Sequence, residues 1–334
     1  MPVFCGLFKS MKEGCKQGLA RNSMQRLCLA LLLSLVAVLT NAAEDAPVYL
    51  LLSGDQPYYQ EVSAVFQQVL AQRAKSPQVL IRDLKQTTEV VPGSTVVAVG
   101  SKASEFALSH FSDADILSLL IPVATWDELL ARLSGTGRRA AVVIDQPVER
   151  PLAMAKLLVP EAQRVGAVFG PVSVASKPQL LRAVERASME LVYAHLDSDD
   201  NPIGVLSPLV QKTDVFLAVA DRGVFNKSVA KWLLYLSFRQ KVAIIGFSRS
   251  YAKAGALAAV YSSPENIGRH GAELLARLLN LKGEGSMDGE AWQTHDPQYY
   301  TLEVNRAVAA ALNISVPDQQ SLYRDYQAVL ESSQ

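Results

Sequence analysis

The sequence predicts an α/β protein of two doubly wound, parallel-sheet lobes. Three observations lead there. Short apolar runs alternate with longer amphipathic stretches through most of the 334 residues. The alternation halts at Asp145-Gln-Pro-Val-Glu-Arg-Pro151 and then begins again. The length suits two domains of ordinary size. Strands separated by helices at this spacing imply right-handed βαβ crossovers, and therefore parallel sheets.

The first 43 residues differ in kind. Lys9, Lys12, Lys16, Arg21 and Arg26 precede an apolar run at 27–39, and the small residues of Thr40-Asn-Ala-Ala43 follow. This is the basic, apolar and small-residue order of a secretory signal peptide. The 13-residue apolar run is short for a membrane span. Met1, Met11 and Met24 are all possible starts. No Cys follows the run, so a lipoprotein acylation site is missing. Cys5, Cys15 and Cys28 all lie in the leader, which leaves the remainder without disulfide or thiolate chemistry. That remainder holds 27 basic and 31 acidic residues, a net −4, and the whole chain is neutral. The balance gives no electrostatic hold on nucleic acid.

The first lobe opens with a strand at Val48–Leu52, ending in Ser53-Gly54-Asp55. A helix at 58–74 buries Val62, Val65, Phe66, Val69 and Leu70 on one face. Strands follow at 79–81, 95–99, 119–122 and 140–144. Ser101 is the expected N-cap of a helix at 102–110.

The second lobe repeats the pattern without repeating the text. A helix at 152–158 closes at Pro160, and a strand at 164–169 ends at Gly170-Pro171. A helix at 177–188 and a strand at 191–196 come next. The apolar run at 215–220 reads as a strand buried on both faces, and it stops at Asp221. The helix at 224–240 carries Phe225, Val229, Trp232, Leu233 and Leu236 on one face. Strands at 241–247 and 256–261 complete the alternation.

Ligands of open α/β sheets bind outside the carboxyl ends of strands, which makes Asp221 the first candidate for function. An ordinary helix cap or a solvated turn is the competing reading. His110, His195, His270 and His295 have no zinc-ligand spacing and read as surface or cap residues. Gly246-Phe-Ser248-Arg-Ser250 follows a strand as a nucleophile elbow does, but Ser250 stands where the tight turn wants Gly. Walker and G-x-G-x-x-G loops are missing, so no nucleotide, cofactor or metal is expected.

From Pro160 to about Leu322 the chain resembles the periplasmic solute-binding proteins of ABC transporters, in the branch with tryptophan- and tyrosine-binding members. The resemblance rests on Leu157-Leu-Val-Pro-Glu-Ala-Gln-Arg-Val-Gly166, on Thr213-Asp-Val-Phe-Leu-Ala-Val-Ala-Asp221 and on Val242-Ala-Ile-Ile-Gly246. Ala254-Gly-Ala-Leu-Ala258, Glu265-Asn-Ile-Gly-Arg269 and Val304-Asn-Arg-Ala-Val-Ala-Ala-Ala-Leu-Asn-Ile314 add to it. In the first lobe, Gly100-Ser101-Lys102-Ala103 stands where the family has a Gly-Thr-x-Ala-like turn, whereas 135–139 departs from the family text.

The resemblance implies a type I binding-protein fold with a three-crossover hinge. Residues 46–148 and 264–296 would form one lobe, and 149–263 and 297–334 the other. It also implies a non-enzymatic, monomeric periplasmic receptor that delivers a small polar ligand, such as an amino acid, to an ABC permease. A sensor reporting to a membrane partner is the alternative. The expected ligand-binding residues are Ser53, Asp55, Tyr58, Ser101, Lys102, Asp221, Phe225, Ser248 and Tyr251. Asp221 would accept an ammonium group, so its loss should cost binding rather than folding. The aromatics would stack on the ligand's side chain.

The leader predicts a mature N-terminus near Ala43 or Glu44. The intact mass of protein from the envelope fraction checks this. A mass that retains 27–39 would reveal an anchored chain and contradict the soluble-receptor expectation.

Overall fold

The structure is a computed structural model that describes residues 47–73, 76–85, 89–223, 226–279 and 292–332. The expected leader lies outside the described residues, and so does Phe225. The first sheet contains β1 (Val48–Leu52), β2 (Val79–Arg82), β3 (Thr95–Val99), β4 (Asp115–Ile121), β5 (Arg139–Val143) and β11 (Thr294–His295). Their order is β11-β5-β4-β3-β1-β2. The second contains β6 (Arg164–Phe169), β7 (Glu190–His195), β8 (Val215–Leu217), β9 (Ala243–Gly246), β10 (Ala258–Tyr261) and β12 (Thr301–Val304). Their order is β12-β10-β9-β8-β6-β7. β12 runs antiparallel to β10, and the other pairs are parallel.

The sheets are buried on both faces, as their apolar strands require. Successive side chains point to opposite faces. Leu50, Val97 and Leu117 therefore join one core layer, and Leu51, Val96 and Ile116 join the other. In the second lobe Phe169 and Val165 face one layer while Phe216 and Val168 face the other. Fully burying each of these side chains stabilises the fold by about 1.5–3 kcal/mol.

The chain passes between the sheets after β5, after β10 and after β11. The second passage starts α9 (Pro264–Leu278) with a reciprocal cap. Ser263 Oγ accepts from Asn266 N at 3.2 Å, and Asn266 Oδ1 accepts from Ser263 N at 3.1 Å. α9 then lies against α1 (Pro57–Ala71) on the first sheet. A Cβ on Gly268 would sit 2.7 Å from the Val62 carbonyl oxygen, so glycine permits this close helix contact.

Most strands follow the sequence expectation, with β4 starting at Asp115 rather than 119, but β11 was not expected. Four helices do not follow the expectation, one of them Gln319–Glu331, which buries Leu322, Tyr326 and Leu330. α3 (Val123–Arg132) follows β4 because Pro122 occupies its N-cap while Trp126 and Leu129 turn into the core. α6 (Pro202–Val210) forms despite Pro208, anchored by buried Leu206, Leu209 and Val210 and capped by Asn201. α8 (Arg249–Ala254) occupies the elbow-like segment, with Ser248 as its N-cap. The expected strand at 215–220 keeps ladder pairing only over Val215–Leu217. α7 (Lys227–Gln240) returns the chain to β9.

Candidate functional site

The strand order β2-β1-β3 in one lobe recurs as β7-β6-β8 in the other. Order reverses at the first strand of each set, and crevices open there at the carboxyl ends. One polar side chain spans each crevice.

In the first lobe that side chain is Ser53, at the end of β1. Its Oγ accepts from Ala103 N at 2.9 Å, in the first turn of α2 (Ser101–His110). Gly100 lies between them at φ 89°, a conformation that favours glycine. A Cβ there would also sit 2.5 Å from the Tyr59 ring and 2.6 Å from Ser53 Oγ. The expected N-cap role of Ser101 is thereby corrected. Gly100 holds the cap position, and the capping hydroxyl comes from Ser53. Ser101 is half-buried in the first turn, and Lys102 is exposed beside it. Asp55 is exposed after β1, and Tyr58 is 44% exposed with its ring 4.3 Å from that of Tyr59.

In the second lobe the spanning residue is Asp221, which is only 4% exposed. Its Oδ2 accepts from Val172 N at 3.0 Å and Ser173 N at 2.7 Å, and its Oδ1 accepts from Gly223 N at 2.8 Å. The carboxylate thus fastens the loop after β6 to the loop after β8. Both oxygens serve the backbone, so Asp221 has a structural role at the loops that the sequence reading did not expect. Tyr251 is also corrected. It lies in the core layer of Phe216 and Leu233, where burial pushes its phenol pKa up. Ser248 is half-buried and accepts from Tyr251 N at 3.3 Å. Phe247, which the sequence reading missed, is 36% exposed at the end of β9.

The two sets of strand ends approach each other at Arg222, directly after Asp221. Its guanidinium donates to Thr125 Oγ1 at 3.4 Å and pairs with Glu128, both on α3 of the first lobe. The pair is exposed, so it contributes little stability, about 0–1 kcal/mol. Its value here is positional: it marks where the lobes meet across the gap.

The three chain passages meet at a second cluster. Arg150 Nη1 donates to Pro297 O at 2.7 Å and to Gln146 Oε1 at 2.8 Å. Gln146 Nε2 donates to Ser262 Oγ at 2.9 Å, and that hydroxyl donates to Tyr299 O at 2.6 Å. The Arg150 guanidinium also lies 4.4 Å from the Tyr300 ring centroid. Burial lowers the Arg150 pKa, and it raises those of Asp145 and Asp296 nearby. His270 is buried, not a surface or cap residue, and its Nδ1 accepts from Gln298 N at 3.2 Å. Burial, helped by His295, lowers its pKa to about 4, so it is neutral near pH 7. Nothing local in the sequence signals this cluster, because its members are up to about 150 positions apart.

A family model described as ABC transporter substrate binding protein matches residues 68–326, which takes in every strand of both sheets except β1. The chain belongs to the ABC transporter substrate binding protein family. The family is one of binding proteins and not an enzyme class. Comparison with curated protein sequences finds no match. Among solved structures, the chain is similar to an ABC domain from Streptococcus pneumoniae in complex with L-Trp. The identity is 16% and the TM-score 0.55, over 84% of this chain and 98% of that one. A ligand-free, open substrate binding protein with adhesive properties from Clostridium difficile is similar at 16% identity and TM-score 0.63, over 82% and 97%. A conserved domain protein from Vibrio cholerae is similar at 18% identity and TM-score 0.54, over 86% and 98%. These likenesses carry the type I binding-protein fold. Among the described residues of this substrate binding protein, no helix is long and apolar enough to cross a membrane.

Asp221 gives a stability prediction. Asp221→Ala strands three backbone N–H groups, one of them on buried Ser173. The expected loss in urea unfolding is about 3 kcal/mol, and Asp221→Asn, which keeps one carbonyl oxygen, should lose less. An alanine variant as stable as wild type would show that the loop anchor is dispensable.

Proposed function

We propose that this substrate binding protein is exported by its leader to the periplasm. There it captures a small polar solute between its lobes as a monomer and delivers it to an ABC permease. The observation that carries the reading is the contact of Arg222, at the carboxyl end of the second sheet's β8, with Thr125 and Glu128 on α3 after the first sheet's β4. A cleft between lobes is a common small-ligand site.

An amino acid with an apolar or aromatic side chain fits the exposed groups best. Tyr58 and Phe247 offer aromatic surface at strand ends of the first and second lobes. Lys102 and Asp55 supply opposite charges in the first lobe, suited to a carboxylate and an ammonium. Ser101 and Ser248 add hydroxyls, while Ser53 and Asp221 shape the loops behind them. The pneumococcal neighbour was solved with L-Trp, an amino acid of this description.

A thermal-shift screen of free amino acids and small anions tests the proposal. One amino acid, at 100 times its dissociation constant, should stabilise the protein by about 2.7 kcal/mol. Calorimetry should then show about tenfold weaker binding for Lys102→Ala, the worth of one charged hydrogen bond. A screen in which no amino acid or small anion raises the midpoint would contradict the reading.

A further inference from the structure

From Arg222 to Pro264 the sequence contains Arg222, Lys227, Lys231, Arg239, Lys241, Arg249 and Lys253 and no acidic residue. The segregation is marked in a chain whose total charge is zero. Arg222 and Arg249 have partners, in Glu128 and in Tyr261 with Glu303. Among the described residues, Lys227, Lys231, Arg239, Lys241 and Lys253 pair with no carboxylate.

α7 presents these cations together with unburied aromatics. Val229, Leu233 and Ser237 face the lobe. The outward arc carries Lys227, Lys231, Trp232, Tyr235, Phe238 and Arg239. Phe238 is 62% exposed, the most exposed large apolar side chain among the described residues, with Tyr235 at 48% and Trp232 at 37%. The Trp232 and Tyr235 rings are 5.9 Å apart, edge to face. Beside them an apolar groove of about 630 Å³ runs between α7 and α8, lined by Ala230, Leu234, Tyr235, Phe238 and Ala254. None of these side chains belongs to the ligand gap described above.

We propose that this face of α7 and α8 docks on an anionic phospholipid bilayer. Trp and Tyr favour the interface between lipid and water, and Lys and Arg rims are drawn to anionic headgroups. An amphipathic helix with that pairing lies in the interface plane. A second copy fits poorly, because a twofold contact would set the same unpaired cations against one another. The bilayer would hold the protein near the membrane whichever solute its cleft takes.

Sedimentation with vesicles tests the proposal, using protein purified from the envelope fraction. Wild type should bind vesicles of phosphatidylglycerol and phosphatidylcholine and release them as salt rises. Binding to pure phosphatidylcholine should be weak. Lys227→Glu with Lys231→Glu should weaken binding to the anionic vesicles about a hundredfold. Trp232→Ser with Phe238→Ser should weaken it about tenfold. All four residues are exposed, so melting midpoints near wild type will confirm that the variants are folded. Equal binding by wild type and both variants, or equal binding to neutral vesicles, would overturn the proposal. So would vesicle-independent dimerisation lost in the Trp232→Ser, Phe238→Ser variant, or cross-linking of this face to a protein partner without vesicle binding.

Discussion

The two-lobed arrangement depends on three chain passages being held against one another, and Arg150 holds them. One guanidinium reaches a carbonyl of the third passage and the Gln146 side chain of the first, and Gln146 reaches Ser262 of the second. A planar group with several donors suits this role, and a lysine would serve it less well. The desolvation that lowers the Arg150 pKa is offset by these bonds and by the Tyr300 ring. Removing the side chain would leave buried acceptors without donors, a cost of about 1–3 kcal/mol each. In the proposed mechanism this cluster is the pivot. It ties the passages to each other at one place, and the proposed function has the lobes rotate about it.

The central strands were legible because each is a short apolar run buried on both faces. Thr95–Val99 and Arg164–Phe169 match the expectation residue for residue. Two of the missed helices begin or continue through a residue that ordinarily breaks one. Pro122 precedes α3, and Pro202, Gly204 and Pro208 punctuate α6. Tertiary burial of Trp126 and Leu206 outweighs those local signals.

The candidate site was less legible, for a physical reason. Strand ends announce themselves locally, so Ser53, Asp55, Ser101, Asp221 and Ser248 could be named as candidates. What each side chain bonds to is set by partners far away in sequence. Ser53 caps a helix 50 positions on, and Asp221 fastens a loop 48 positions back. Both therefore hold the loops at the strand ends in place, and under the proposed function these loops wall the gap. Such fixed walls lower the ordering cost when a solute binds. The exposed bridge from Arg222 to α3 is worth little energy, and under the proposed function it would break and reform as a solute enters and leaves.

Capture of a solute between two lobes calls for their closure on it, and small-angle scattering tests that most directly. Scattering curves would be recorded without solute and with the amino acid found by screening at saturation. The account predicts a smaller radius of gyration in the loaded protein, as hinge closure brings the lobes together. An unchanged curve with a ligand shown by calorimetry to be bound would contradict it.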